Sequence, residues 1–147
     1  MIHVGDRAPD FSAVSQHGAT IRLADFLGRQ NLVLFFYPKD GSLICTREAC
    51  SFRDAYDEFV AAGAEVVGVS GDSPDNHRDF AAQHKLPFHL ITDEEGQIRE
   101  AFGVPKSLGV LPGRVTFVID RKGIVRLVFS AQFATQEHVR RALKALG

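Results

Sequence analysis

Runs of hydrophobic residues divide the chain into alternating predicted strands and helices. The apolar runs at Asn31–Tyr37 and Ala64–Ser70 are continuous, which is typical of strands buried on both faces of a sheet. The remaining pattern predicts a hairpin at Phe11–Leu23 that turns at His17–Gly18, helices at Cys45–Ala62, Asp75–Lys85, Glu94–Phe102 and Thr135–Leu146, and strands at Phe88–Thr92, Arg114–Asp120 and Ile124–Ser130.

The order of these elements predicts the fold class. Strands and helices alternate, and a short turn at Arg121–Gly123 then joins two strands before the last helix. This order favours an α/β fold in which helices flank a central mixed β-sheet, with the N-terminal β-hairpin added to it. A thioredoxin-like fold fits the order, and periodicity alone leaves a flavodoxin-like arrangement open. The length of 147 residues suits one domain over residues 1–147.

Composition and charge narrow the class of protein. Hydrophobic residues make up 45% and charged residues 24% of the chain, which is normal for a globular protein. The net charge of -1 gives no electrostatic reason to expect a nucleic-acid partner. No apolar run approaches the roughly 20 residues that cross a bilayer, and the first residues lack the pattern of a signal peptide. We therefore expect a cytoplasmic protein that binds neither nucleic acid nor membrane.

The histidine and cysteine spacings do not favour a metal or cofactor. None of the six histidines pairs with another at the spacing of a helical zinc site, and neither cysteine has a partner at finger-like spacing. Two cysteines in a cytosolic chain are not expected to form a permanent structural disulfide. Catalytic, redox-active or simply buried cysteines remain open at this point.

Cys45 lies where a helix begins. Ser42 is a good N-cap residue, so the helix is expected to start at Leu43 and to place Cys45 at its third position. The unpaired backbone N–H groups and the positive end of the helix dipole lie in this first turn. Both favour a thiolate over a thiol, and the thiolate is the nucleophilic form. The alternative is a cysteine that serves as a small inert hydrophobe.

The helix geometry separates Cys45 from Cys50. Cys50 lies about 140° around the helix, and an ideal helix puts the two Cα atoms roughly 8–9 Å apart. A disulfide needs about 4.4–6.8 Å, so the two cysteines can bridge only if the first turns unwind. We therefore interpret the pair as a redox switch if it bridges. The face that carries Cys45 is apolar and also holds Ala49, Phe52, Tyr56, Phe59 and Val60.

Four segments resemble peroxiredoxins. Phe36–Cys45 (FYPKDGSLIC) resembles their active-site signature, Pro-x-x-x-Thr/Ser-x-x-Cys. Thr46–Asp54 is similar to the Q-type, or bacterioferritin-comigratory, subgroup, whose second cysteine follows the first by five residues. Gly113–Asp120 resembles the strand that carries the family's active-site arginine, and Val4–Phe11 matches the usual opening. The resemblance covers nearly the whole chain in order.

This resemblance implies a thiol peroxidase and a role for each matching residue. Cys45 matches the peroxidatic cysteine, which becomes a sulfenic acid, and Cys50 matches the resolving cysteine. Arg114 matches the arginine that stabilises the thiolate and polarises the peroxide. Ser42 matches the hydroxyl that hydrogen-bonds the sulfur and the peroxide, and Pro38 the residue that shields the pocket. The substrate would be a hydroperoxide, the reductant thioredoxin or a glutaredoxin-like donor, and we expect a monomer without a cofactor.

Three of these residues also have ordinary structural interpretations. Arg114 could be a solvated charge at a strand end, Pro38 could simply end a strand, and Ser42 could serve only as a cap. Glu48, Arg53 and Asp54 could form a local ion-pair cluster or support Arg114, and for Arg53 we expect support of Arg114.

Two rival functions remain open beside the peroxidase. A thioredoxin-like thiol–disulfide oxidoreductase would share the fold, but it would use C-x-x-C where this chain has C-x₄-C. A redox sensor without turnover would use the same unwinding helix to change a partner surface. Peroxide consumption separates the first rival from a peroxidase, and turnover with thioredoxin separates the second.

The chain departs from the subgroup at Leu43–Ile44, where Pro-Gly is usual. The two side chains either pack against the active-site loop or form an apolar collar at the pocket mouth that favours alkyl hydroperoxides.

Overall fold

The structure is a computed structural model that describes residues 1–107 and 111–147, without the side chains of residues 106–112. The strands are β1 (Ser12–Val14), β2 (Thr20–Arg22), β3 (Asn31–Phe36), β4 (Ala64–Ser70), β5 (His89–Thr92), β6 (Lys106–Ser107), β7 (Leu111–Pro112), β8 (Val115–Ile119) and β9 (Val125–Ser130). The α-helices are α1 (Leu43–Asp54), α2 (Tyr56–Ala61), α3 (Pro74–His84), α4 (Gln97–Phe102) and α5 (Thr135–Leu146).

Five strands form the central sheet in the order β5-β4-β3-β8-β9. β3, β4 and β5 run parallel, whereas β8 is antiparallel to both β3 and β9. β1 and β2 form the N-terminal hairpin, which turns at Gly18 with a φ of +78°. The mixed sheet, its flanking helices and the hairpin expected from the sequence are thus confirmed. The short β6–β7 pairing was not expected.

The side chains of β3 alternate between two hydrophobic cores. Leu32, Leu34 and Phe36 join the core beneath the N-terminal hairpin and α4. Val33 and Phe35 join the core beneath α1, α2, α3 and α5, and Cys45 belongs to that second core. These five residues of β3 are at most 2% exposed, so this strand is buried on both faces as its continuous apolar run predicts. The strand therefore fixes the start of the segment that leads into α1.

The helix expected over Cys45–Ala62 is in fact two helices. Ala55 leaves the helical region with φ -98° and ψ 4°, which kinks the chain between α1 and α2. The Tyr56 hydroxyl then donates to the carboxylate of Glu65 on β4 at 2.9 Å and ties the kinked segment to the sheet. The kink changes the phase of the helical stripe. Val60 was expected on the apolar face, but it is 51% exposed.

Gly68 lets the sheet pack closely in the second core. A Cβ atom built there would lie 2.8 Å from Leu90 Cδ2 and 2.8 Å from Phe35 Cζ. Phe35 also stacks on Phe52 of α1, with the two ring centroids 4.4 Å apart, so it has little room to move away. A glycine is required here by the close approach of the two side chains rather than by a turn.

We predict that Gly68→Ala lowers the free energy of unfolding by roughly 1–3 kcal/mol, because the added methyl overpacks this core. Gly71→Ala is the matched control, since its Cβ would meet no heavy atom closer than 3.9 Å. Urea unfolding of both variants measures the difference. Equal stability of the two variants would show that Phe35 and Leu90 yield without cost.

Candidate active site

Cys45 lies at the third residue of α1, as its sequence setting predicts. Ser42 is the N-cap, with extended backbone angles of φ -70° and ψ 153°, and its carbonyl accepts from Thr46 N at 2.9 Å. The Cys45 side chain points into the second core and is 1% exposed. The sulfur is therefore shielded from water and close to the positive end of α1.

Arg114 lies directly before β8 and reaches the sulfur of Cys45. Its Nη2 donates to Cys45 Sγ at 3.3 Å, its Nη1 to Glu48 Oε1 at 2.8 Å, and its Nε to the carbonyl of Gln132 at 2.9 Å. The residue is 4% exposed. The alternative of a solvated charge at a strand end is wrong. The oxygens of Glu48 and Gln132 hold the guanidinium in one orientation, and in this orientation Nη2 donates to the sulfur.

Glu48 is the carboxylate that supports Arg114. It lies one helical turn after Cys45 on the same inward face and is completely buried. Burial raises the pKa of Glu48 to about 7, although the charge and hydrogen bond of Arg114 act in the opposite direction. The expectation that Arg53 supports Arg114 is wrong. Arg53 lies on the outward face, where it pairs with Asp54 at 3.0 Å and with the carbonyl of His84 at 2.9 Å.

His138 of α5 completes the buried cluster and was missed in the sequence. Its Nε2 donates to the carbonyl of Ala131 at 2.8 Å, so its Nδ1 accepts from the Thr116 hydroxyl at 2.7 Å in the neutral ring. Burial lowers the pKa of His138 to about 4, opposed by the bond to Ala131 and helped by the charge of Arg114. The neutral state follows. A histidine in the apolar stripe of a predicted helix was the available signal.

One cation faces two groups that can become anions. Among the described residues, Arg114 is the one cationic side chain that bonds to Cys45 or Glu48. Glu48 Oε2 has no hydrogen-bond partner among them and lies 3.6 Å from His138 Nδ1. If Cys45 and Glu48 were both ionised, the pocket would carry an excess negative charge out of water. The two groups therefore share the charge of one guanidinium.

The other residues expected at the site lie around this pocket. The Ser42 hydroxyl donates to the carbonyl of Lys39 at 3.2 Å and does not cap α1, so the expected side-chain cap is wrong. The Ser42 side chain therefore accepts from none of the first N–H groups of α1. Pro38 is half-buried just after β3, and its shielding role stays a prediction. Cys50 is a half-buried free thiol in the same unbroken helix as the free thiol of Cys45.

The Leu43 and Ile44 side chains differ in their exposure. Leu43 is 67% exposed, and Ile44 is half-buried. Most of the Leu43 side chain is therefore open to solvent, and the choice between packing and an apolar collar stays a prediction. An apolar side chain at this edge of the site remains available to a substrate.

Asp40, Asp72 and His77 form the candidate metal-ligand group, with donor atoms within 4.8 Å of one another. These atoms already have hydrogen-bond partners within the fold. Asp40 Oδ2 lies 2.6 Å from His77 Nδ1, and Asp72 Oδ2 accepts from the Ser70 hydroxyl at 2.6 Å. A hydrogen-bond network accounts for this arrangement, and we assign no metal to it.

The comparisons with known proteins agree on one family. Residues 4–128 match the AhpC/TSA family. The chain is 46% identical to chloroplastic peroxiredoxin Q of Populus jackii over 99% of this chain and 68% of that protein. It is 37% identical to the crystal structure of peroxidoxin BcpB from Mycobacterium tuberculosis, with a TM-score of 0.92, over 99% and 97% of the two chains. Peroxiredoxin Q of Xanthomonas campestris gives 32% identity and a TM-score of 0.85, over 92% and 89%.

The fold is that of a thioredoxin-like protein, and its buried cysteine lies at the start of a helix beside a buried guanidinium. The chain belongs to the AhpC/TSA family, and it is a thiol peroxidase of the Q, or bacterioferritin-comigratory, type of peroxiredoxin. The expected thioredoxin-like fold and the expected enzyme class are both confirmed. Within the described residues, no helix has the length and apolar character needed to span a membrane.

The buried pair of Glu48 and His138 predicts opposite pH effects on stability. The pKa of Glu48 is raised from 4.5 to about 7. Its contribution to the free energy of unfolding therefore falls as pH rises between these values. The pKa of His138 is lowered from 6.5 to about 4, so its contribution falls as pH drops through that window. In the wild type the two contributions nearly cancel between the unfolded values of 4.5 and 6.5.

Single substitutions should expose each contribution. Relative to the wild type, Glu48→Gln should become more stable as pH rises from about 4.5 to 6.5, and His138→Gln less stable, each by roughly 2 kcal/mol. The glutamine at 138 can keep the donor to Ala131. Urea unfolding at several pH values measures both slopes. Slopes of the same sign in the two variants would contradict the assigned protonation states.

Proposed function

We propose that Cys45 is the peroxidatic cysteine of this peroxidase and that Arg114 and Ser42 act with it on the peroxide. The observation that supports this proposal best is the 3.3 Å contact from Arg114 Nη2 to Cys45 Sγ at the third residue of α1. A guanidinium and a helix N-terminus both stabilise a thiolate there. The same cation can stabilise negative charge that develops on the peroxide oxygens.

The first step breaks the O–O bond. The Cys45 thiolate attacks one peroxide oxygen, a new S–O bond forms, and the electron pair of the O–O bond leaves with the other oxygen as an alkoxide or hydroxide. That oxygen takes a proton and departs as an alcohol or water, and Cys45 is left as a sulfenic acid. We propose that the Ser42 hydroxyl and Arg114 donate hydrogen bonds to the oxygen on which this charge forms, and that Pro38 covers the pocket.

The second step resolves the sulfenic acid within the same chain. The Cys50 thiol attacks the Cys45 sulfur, a disulfide forms and water leaves. Because both cysteines lie in one unbroken α1, the first turns of this helix must unwind before the sulfurs meet. The buried Cys45 side chain then leaves the second core. Its departure also releases Arg114 from the sulfur.

The third step returns the enzyme to its dithiol form. A dithiol donor attacks the disulfide through a mixed disulfide and takes up the oxidising equivalents. We propose thioredoxin or a glutaredoxin-like protein as this donor. Since resolution uses two cysteines of one chain, a monomer can complete the cycle. We propose the cytoplasm as its location, because the cycle requires a compartment that keeps thiols reduced.

The two cysteines should respond differently to substitution. Cys45→Ser should lose peroxide reduction completely, because the nucleophile is gone. Cys50→Ser should still consume about one equivalent of peroxide and then stop at a sulfenic acid that is prone to further oxidation. Mass spectrometry after one equivalent of peroxide measures both products. If a sulfenic acid formed first on Cys50 of the wild type, the two roles would be reversed.

We propose that alkyl hydroperoxides contact the apolar pair Leu43–Ile44. The exposed Leu43 can cover an alkyl group at the edge of the site, as 67% of its surface is open to solvent. One published structure of a bacterioferritin comigratory protein from Xanthomonas campestris, with a TM-score of 0.84, concerns the alkyl peroxide reduction activity of that protein. Burial of alkyl groups here would favour such substrates over hydrogen peroxide.

Replacement of Leu43–Ile44 by Pro-Gly should therefore lower the preference for an alkyl hydroperoxide over hydrogen peroxide by roughly tenfold. The measurement is kcat/KM for both peroxides in both proteins, because their ratio reports discrimination. Val60→Ala, an exposed apolar residue on α2, is the control and should leave the ratio unchanged. An unchanged ratio in the Pro-Gly variant would show that the pair has no part in substrate choice.

A further inference from the structure

The segment between β3 and α1 is held to the rest of the protein mainly through Asp40. This segment runs from Pro38 to Ser42, and three of its residues, Lys39, Gly41 and Ser42, are exposed. The Ser42 hydroxyl bonds within the segment, to the carbonyl of Lys39. Gly41 turns the chain with a φ of +80°, a conformation that favours glycine. The placement of Ser42 therefore depends on whatever fixes this short loop.

Asp40 supplies three hydrogen bonds from a nearly buried position. Its side chain is 6% exposed, and its Oδ1 accepts from the Tyr37 hydroxyl at 2.6 Å. Its Oδ2 lies 2.6 Å from Nδ1 of His77 on α3. Its backbone N–H donates to Asp72 Oδ2 at 2.8 Å, just beyond β4. The loop is thus attached to α3 and to the end of β4 at one residue.

The partners of His77 fix where its protons lie. The side chain is completely buried, and its Nε2 faces the carbonyl of Ile91 at 3.2 Å, so this nitrogen is the donor. A second proton must then lie between Nδ1 and Asp40 Oδ2, because two lone pairs 2.6 Å apart would repel each other. The 2.6 Å contact between Asp40 and His77 is therefore a short buried hydrogen bond.

Tyr37 strengthens this arrangement from the other side. Burial and the Asp40 carboxylate raise the pKa of Tyr37 well above the usual value for tyrosine, so its hydroxyl stays a donor. Both carboxylate oxygens of Asp40 are therefore engaged by buried groups. A carboxylate with both oxygens bonded in this way cannot rotate freely, and the backbone that carries it is fixed too.

We propose that Asp40 and His77 are positioning residues for the peroxidase, and that their buried pair holds the Pro38–Ser42 loop so that the Ser42 hydroxyl meets the peroxide. This inference rests on the proposed roles of Cys45 and Ser42. Within the described part of the chain neither residue hydrogen-bonds to the sulfur, and the pair acts through the backbone of the loop. Alkylation of the thiol requires a thiolate alone, whereas peroxide reduction also requires the placed hydroxyl.

The proposal is tested by comparing two rates in the same variants. The first is kcat/KM for hydrogen peroxide, and the second is the rate of Cys45 alkylation by iodoacetamide. Asp40→Ala and His77→Ala should lower the first about tenfold or more while changing the second less than about threefold. The double variant should lose no more than either single variant, because both remove one shared anchor.

Asp40→Asn is the conservative variant and should rescue activity. Its amide oxygen accepts from Tyr37, and its amide N–H donates to Nδ1 of a neutral His77, so both hydrogen bonds remain without the shared proton. We expect its kcat/KM within about threefold of the wild type. Glu65→Ala is the matched control, since it breaks the separate tyrosine–carboxylate pair with Tyr56. It should change neither rate.

The outcomes separate this inference from the proposed function. If Cys45→Ser kept peroxide reduction, the proposed function itself would fail. Suppose instead that Cys45→Ser is inactive, and that Asp40→Ala either keeps full activity or loses peroxide reduction and Cys45 alkylation equally. In that case only the positioning role of Asp40 and His77 is wrong. The double variant leaves neither member of the Asp40–His77 pair without its partner, so it serves as the test where Asp40→Ala alone does not fold. Loss of activity in Asp40→Asn equal to that in Asp40→Ala would also overturn the proposal.

Discussion

The contact between the guanidinium of Arg114 and the sulfur of Cys45 is the interaction on which the rest of the site depends. It brings together residues 69 positions apart in the chain. Burial alone would disfavour a thiolate, so the cation must offset the loss of water. Glu48 and the carbonyl of Gln132 hold the guanidinium in place through Nη1 and Nε. The Nη2 group is left to donate to the sulfur.

The sheet explains how this contact forms. β8 pairs antiparallel with β3, so the start of β8 lies beside the end of β3, with Phe36 opposite Val115. The chain leaves β3 at this point, forms the loop anchored by Asp40 and enters α1. Arg114 therefore meets the first turn of α1 as a consequence of strand order. The cost of burying these charges is limited, because the Arg114 guanidinium contacts both the Glu48 carboxylate and the sulfur of Cys45.

Much of this could be predicted from the sequence where the determinants are local. The apolar run of β3, the cap position of Ser42 and the third helical position of Cys45 depend on neighbours along the chain, and the structure agrees with each. The support of Arg114 by Glu48 and the neutral His138 depends on which faces pack together, which spacing along one helix does not reveal. The kink at Ala55 lacks a proline or glycine signal, and a tertiary contact to the sheet accompanies it.

The central claim is that Arg114 makes Cys45 a nucleophile, and the pH dependence of Cys45 alkylation tests it most directly. Arg141→Ala serves as the control, because this exposed cation on α5 pairs with Glu137 away from the site. We predict that Arg114→Ala moves the midpoint of Cys45 alkylation to higher pH by about one unit or more, since the buried thiolate loses its cation. The control should follow the wild-type curve. A curve for Arg114→Ala that coincides with the wild type, in a variant that keeps its fold, would contradict the account.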